Sequence, residues 1–182
     1  MALKTKAISF LWGFSEALFF FFVPDIWLTK LALTNLKDAL INSLYALLGA
    51  LCGGTILYVL GSFIFDTILH FLTHIPAISQ NMVDTAGAQM QDNNPAKAIM
   101  KAGFTGVPFK IYAAWSGHLQ LPFLIFLTVG AIARLARFAS LILITYGIKT
   151  LLSPHITIQK IHALHLIFWI IFYLFYFLKV GL

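Results

Sequence analysis

Charge is scarce in this chain. Its 182 residues hold 12 Lys+Arg and 6 Asp+Glu, 10% charged in all, where soluble domains carry roughly a quarter. With 60% hydrophobic residues and a mean hydropathy of +0.91, there is too little polar surface to cover a water-soluble globule of this size. The composition therefore predicts an all-α integral membrane protein, one domain by length. Cysteine is nearly absent: Cys52 alone excludes an intramolecular disulfide and any cysteine-rich zinc or iron-sulfur site. Nucleotide and hydrolase signatures are also missing. There is no P-loop and no dinucleotide fingerprint, and Gly13-Phe14-Ser15-Glu16 does not make a nucleophile elbow. His70 and His74, and His162 and His165, stand at helical spacing, but two imidazoles without a third ligand make a poor metal site. No metal, no cofactor and no enzymatic activity are expected.

What is present is a set of apolar stretches divided by a few polar breaks. Crossing about 30 Å of hydrocarbon takes roughly 20 apolar residues. Ala39 to Phe65, Leu119 to Leu152 and Ile161 to Leu178 meet that length. The N-terminal run from Ile8 to Leu28 is different, because Glu16 lies inside it and Pro24-Asp25 interrupts it. A single crossing would also put Lys4 and Lys6 on one side and Lys30 and Lys37 on the other; a re-entrant hairpin with its tip near Pro24 keeps all four together. The basic residues ahead of this run resemble the start of a signal peptide, but the run ends in Phe and Pro without small residues for cleavage.

The resulting division is a first re-entrant hairpin over 8–36, a transmembrane helix over 39–72, and an external loop with an interfacial helix over 75–100. A second re-entrant hairpin follows over 101–121, then transmembrane helices over 122–152 and 160–180. The external loop is the most polar section, with Gln80, Asn81, Gln89, Gln91, Asn93 and Asn94. In the second hairpin Gly103, Gly106 and Pro108 are expected to break the helix just before Lys110. Whether the stretch from Leu119 to Leu152 is one long helix or two stays open at this stage. Each break precedes a glycine-bearing apolar helix, with Gly49, Gly53, Tyr58 and Gly61 after the first and Gly130, Tyr146 and Gly147 after the second. Halves that entered from opposite sides would form an inverted repeat, with about three to four transmembrane helices in all. Charge placement puts the N-terminus inside, Asp66, Asp84 and Asp92 outside, and Lys149 and Lys160 back inside.

The candidate functional residues are the charges that hydrocarbon should exclude. Glu16 and Asp25 sit among Phe, Leu and Trp, where a carboxylate must be protonated, paired or hydrated, and are candidates for proton coupling. The structural alternative has Asp25 capping a helix and Glu16 snorkelling to the surface. Arg134 and Arg137 share one helix face, and their planar guanidinium groups suit a phosphate or a counter-ion role for the two acids; the alternative is an interfacial pair that fixes helix depth. Lys110 follows a helix break whose free amides favour anions. Gly49 and Gly53 read as a close-packing step, and Trp115, Trp169, Tyr173 and Tyr176 as interface anchors and packing groups.

Taken in order, these residues resemble the DedA superfamily of SNARE-associated or VTT-domain membrane proteins. The resemblance runs through Ser15-Glu16, Pro24-Asp25, Gly49, Gly53, Tyr58 and Gly61. It continues through GFTGVPFK from Gly103 to Lys110, ARLARF from Ala133 to Phe138, and Tyr146-Gly147, covering roughly residues 12 to 150. It is nearest to a small branch carrying FTPIPxK and GRGxRF segments. Here Phe19 to Phe22 replace a proline-rich tip, Ser62 stands where a basic residue is common, and Gly106 replaces the first proline of the second motif. The resemblance implies two facing re-entrant hairpins and lipid movement between leaflets of a bacterial inner membrane. Glu16 and Asp25 match the acidic hairpin positions, and Lys110, Arg134 and Arg137 the basic ones. The expected function is a proton-coupled translocase for undecaprenyl phosphate or a phospholipid, with a passive scramblase or a structural subunit as alternatives. Membrane lipids and protons are the expected partners, nucleic acid is not, and a homo-oligomer is compatible with this arrangement.

Overall fold

The computed structural model describes residues 2–92 and 94–180; Asn93 of the polar section lies outside the described residues. The described residues are helical, with no strand among them. In chain order they form α1 (Ala2–Leu18), α2 (Asp25–Ala32), α3 (Leu36–Phe63), α4 (Phe65–Thr73) and α5 (Gln80–Gln91), then α6 (Pro95–Thr105), α7 (Phe109–His118), α8 (Phe123–Leu152) and α9 (Ile158–Val180). Three of these, α3, α8 and α9, are long and apolar enough to cross a membrane.

Local chemistry sets most of the boundaries. Asn35, Ser79 and Asn94 cap α3, α5 and α6 by accepting backbone N–H groups of the first turn. Pro24, Pro108 and Pro122 stand immediately before α2, α7 and α8, where a residue lacking an N–H costs nothing. Gly106 ends α6 with a φ of +79°, a left-handed conformation natural to glycine.

α3 is the axis. α1 lies along it in parallel: the Ser9 hydroxyl donates to Asn42 Oδ1 at 2.8 Å, and further along Gly53 fits against Phe14 and Ala17. The same register sets Lys4 level with Lys37, so α1 runs one way along α3 and the segment over 19–35 brings the chain back. At Gly49 the α1 backbone comes so near that a Cβ would stand 2.0 Å from the Phe10 carbonyl oxygen, bearing out the close-packing step. α8 runs antiparallel to α3. Near one end Tyr58 packs on Phe123 and Phe126, with ring centroids 5.3 and 5.2 Å away. Near the other, Ala39 and Ala46 share a core with Leu28, Phe138 and Ile142. The second core joins Leu57 and Phe126 to α4, α5, α6 and α7. Along α8 the two arginines fall between these cores.

Several expected boundaries change. The helix expected over 39–72 is two helices, because Ile64 leaves helical geometry and α4 folds back, stacking Phe65 on His118 at 3.8 Å. The section expected as a loop with one interfacial helix holds α5 and the start of a second helix, α6, which begins at Pro95 and runs through Gly103; only 106–108 break the chain before α7. The first break, expected near Pro24, spans 19–24 and ends at that proline. Leu119 belongs to a turn, with Gln120 at a φ of 51°, and α8 is one continuous helix from Phe123.

Candidate functional site

The isolated charges of the sequence meet. Arg134 and Arg137 project from the middle of α8, the first of them about 17 Å along at about 1.5 Å per residue. Arg134 Nη2 lies 2.8 Å from Glu16 Oε2 of α1, and Arg137 Nη2 lies 2.5 Å from Asp25 Oδ2 at the start of α2. The Glu16 side chain is 9% exposed and that of Asp25 is 1% exposed, so neither acid snorkels, and Asp25 binds an arginine instead of capping its helix. The two pairs differ in setting. Arg134 is buried and its guanidinium also lies 4.4 Å from the centroid of the Phe109 ring, whereas Arg137 is 31% exposed.

Lys110 stands at the other end of this cluster. It is the second residue of α7, its side chain is buried, and Nζ donates to the Phe20 carbonyl in the first break at 2.8 Å. Among the described residues Lys110 makes no ion pair. One ammonium therefore ties the two breaks together: the 106–108 break positions it and the 19–24 break supplies its acceptor. Pro24, Gly106 and Pro108 act as expected at helix boundaries, Pro24 and Pro108 by starting α2 and α7 and Gly106 by ending α6.

Glu16, Lys110, Arg134 and Arg137 line one cavity of about 110 Å³, with Phe20, Val23 and Pro108 in its wall. Asp25 reaches it through Arg137. Several polar atoms here are unsatisfied: Glu16 Oε2, although in ionic contact with Arg134 Nη2, makes no hydrogen bond, and Arg134 Nε and Asp25 Oδ1 have no hydrogen-bond partner. Buried groups with spare capacity of this kind can exchange partners more readily than a saturated network. The arrangement can therefore hold an oxyanion against guanidinium and ammonium groups, or hold it off with carboxylates.

One contributor was missed in the sequence. Tyr173, read as packing or an interface anchor, accepts the Val23 N–H at 2.9 Å through its hydroxyl and lays its ring 4.7 Å from that of Phe22. With Phe172 and Tyr176 it closes the cavity from α9. Trp12 Nε1 holds the Phe22 carbonyl at 2.9 Å, so the first break is pinned from three directions. No sequence signal separates Tyr173 from the other aromatics of α9. The histidines lie elsewhere. His74 Nδ1 faces the His70 carbonyl, and His165 Nε2 contacts Thr29 Oγ1 at 2.8 Å beside Trp169. Among the described residues no group of three or more His, Cys, Asp or Glu could hold a metal ion.

These features define an all-helical, membrane-associated protein with a cavity lined by charged side chains. No protein-family model matches the chain, and no solved structure does. It is similar to a protein of Haemophilus influenzae, 26% identical over 134 residues, and to one of Histophilus somni, 32% identical over 126 residues; both are named as uncharacterized. Each match covers 69% of this chain and 64% of the relative, so the chain spans less than two thirds of the length of these curated relatives.

Proposed function

We propose that the protein is a proton-coupled lipid translocase of the DedA type, moving a lipid with an anionic phosphate headgroup, polyprenyl phosphate or phospholipid, across a bacterial inner membrane. The observation that carries the reading is that Glu16 and Asp25 each occupy a guanidinium facing one cavity, with Lys110 beside them bound only to a carbonyl. Protonating an acid releases its arginine to a phosphate, and deprotonation restores the ion pair and expels the headgroup. Proton and lipid then compete for the same cations, and that competition is the coupling.

Two further features support this fold reading. α1 pairs with α3 and α6 with α8 within each half, while α7 crosses to α3 and α2 to α8 between halves. This is the pattern of contacts expected of two re-entrant hairpins in an inverted repeat, each with a proline before its returning arm. Placing the N-terminus inside gathers Lys4, Lys30, Lys37 and Lys149 on one side.

The test is leaflet exchange of labelled undecaprenyl phosphate and of a labelled phospholipid in proteoliposomes, with and without a pH gradient. Exchange that responds to the gradient in the wild type and not in Glu16→Gln supports coupling. Exchange indifferent to both makes the protein a passive scramblase, and exchange of neither lipid removes the reading. A structural reading is favoured by one observation, the pairing of both acids: buried ion pairs also fix helix register. In that case charge-neutral variants change stability alone.

A further inference from the structure

A second concavity lies away from the ionic cavity, where the N-terminal half of α3 meets the C-terminal half of α8. It is an open groove of about 810 Å³, lined among others by Lys37, Leu40, Leu44, Leu135, Tyr146 and Lys149. Both cations stand at the same end. Lys37 is the second residue of α3 and Lys149 lies in the last turn of α8, and these helices are antiparallel. Lys149 also lies over the Tyr146 ring, 5.3 Å from its centroid. Leu40 and Leu44 follow Lys37 at about one and two turns, roughly 5 and 10 Å deeper along the helix, and both are exposed. No carboxylate lines the groove.

A cationic rim above an apolar floor, on two helices built to cross a membrane, constrains the occupant. A free phosphate would satisfy the lysines and leave the leucines without a partner. An acyl chain alone would ignore the lysines. We infer that the groove seats an acidic phospholipid of the leaflet on the N-terminal side, its phosphate between Lys37 and Lys149 and one acyl chain along Leu40, Leu44 and Leu135. Charge complementarity selects the headgroup, and the depth of the leucines selects a lipid. This site is separate from the one lined by Arg134 and Arg137, and it stands whether or not the protein moves lipid.

The test is native mass spectrometry of the full chain in detergent, mixed with equal amounts of phosphatidylglycerol and phosphatidylcholine. A lysine beside an anionic lipid surface is worth roughly a fivefold preference. Wild type is expected to retain phosphatidylglycerol at least fivefold over phosphatidylcholine, and Lys37→Gln with Lys149→Gln to bring the ratio near parity. Lys37→Arg with Lys149→Arg should preserve the preference, as should Lys97→Gln with Lys101→Gln, two exposed lysines that line neither the groove nor the ionic cavity. An unchanged ratio in the Lys37→Gln, Lys149→Gln pair overturns the assignment, and so does an equal loss of preference in the Lys97→Gln, Lys101→Gln pair. A two-chain mass without bound lipid, dispersed by the lysine changes, would make the groove an interface between copies and equally overturn it.

Discussion

The Lys110 ammonium and the Phe20 carbonyl, 2.8 Å apart, join the two helix breaks of the protein. Each break leaves backbone groups without helical partners, and in hydrocarbon those groups must find others. Phe20 has an N–H bonded to the Ser15 carbonyl at the end of α1, and its own carbonyl is taken by Lys110. A charged donor thus closes the account of one break while being positioned by the other.

Removing that donor should loosen the first break first. A hydrogen bond to a charged group contributes about 1.5–3 kcal/mol, so Lys110→Met is expected to speed amide exchange across 19–24 by about tenfold or more. Exchange in the core of α3 should stay near wild type. Hydrogen exchange with peptide-level readout checks this, and uniform acceleration throughout the chain would place the role of Lys110 in global stability instead.

Variants of the ion pairs can separate a structural role from the proposed transport. Removing one partner of a buried pair costs about 3–5 kcal/mol because the other charge is left alone. Glu16→Ala, which strands buried Arg134, is expected to destabilise more than Asp25→Ala, which strands the partly exposed Arg137. Combining Glu16→Gln with Arg134→Gln should recover much of the loss, as paired removal often does. Thermal unfolding in detergent measures the stability side. Under the transport reading the double variant regains stability without regaining pH-driven exchange.

How far the sequence led depends on which physical signal each feature leaves. Charges inside apolar runs are conspicuous because hydrocarbon penalises them, so Glu16, Asp25, Lys110, Arg134 and Arg137 all stood out and all converge. Prolines and Gly106 marked helix boundaries for another reason: their backbone chemistry is local. The turn at Ile64 left no such mark. It forms where α4 folds onto Trp115 and His118, a contact between distant segments. The start of α6 was hidden by polar composition, although Asn94-Pro95 is a cap followed by a first-turn proline. Tyr173 was invisible because its partner is a backbone N–H, and nothing in an aromatic-rich helix says which hydroxyl will find one.

Close helix contact gives a sharp contrast between glycines. A Cβ at Gly49 would meet the Phe10 carbonyl oxygen at 2.0 Å, whereas one at Gly147 would meet nothing within 4 Å. Gly49→Ala must therefore push α1 from α3 and is expected to cost about 1–3 kcal/mol or more, as overpacking does. Gly147→Ala, inside α8, should stabilise by up to about 1 kcal/mol by removing backbone freedom. Melting temperatures of the two purified variants check both signs.

The tyrosine contacts of α9 should control access to the cavity. Tyr173 accepts the Val23 N–H, and the Tyr176 hydroxyl donates to the Ala77 carbonyl at 3.2 Å, so α9 is fastened to both halves of the chain. Most of its remaining surface is exposed apolar side chain, with Leu174 and Phe175 each more than half exposed. Tyr173→Phe with Tyr176→Phe keeps the rings and removes both fastenings. The expected result is faster exchange of the Val23 amide and greater reactivity of a cysteine placed at Val107, in a Cys52→Ser background, toward a small maleimide. Wild-type reactivity at Val107 in the double variant would show that the rings alone hold α9 in place.

Topology can be read by the same chemistry. The parallel register of α1 with α3 and the antiparallel run of α8 put Thr34 and Ser153 at one end of the helices, beside Lys37 and Lys149. Asp84, on α5, belongs to the section that follows the far end of α3. In a Cys52→Ser background, Thr34→Cys and Ser153→Cys are expected to react from one side of sealed inner-membrane vesicles and Asp84→Cys from the other, using an impermeant maleimide. Under the proposed orientation, the basic residues near Thr34 and Ser153 make that shared side the cytoplasmic one. Labelling of Thr34→Cys and Ser153→Cys from opposite sides would require a different number of crossings between them and would remove the second re-entrant hairpin from the proposed architecture.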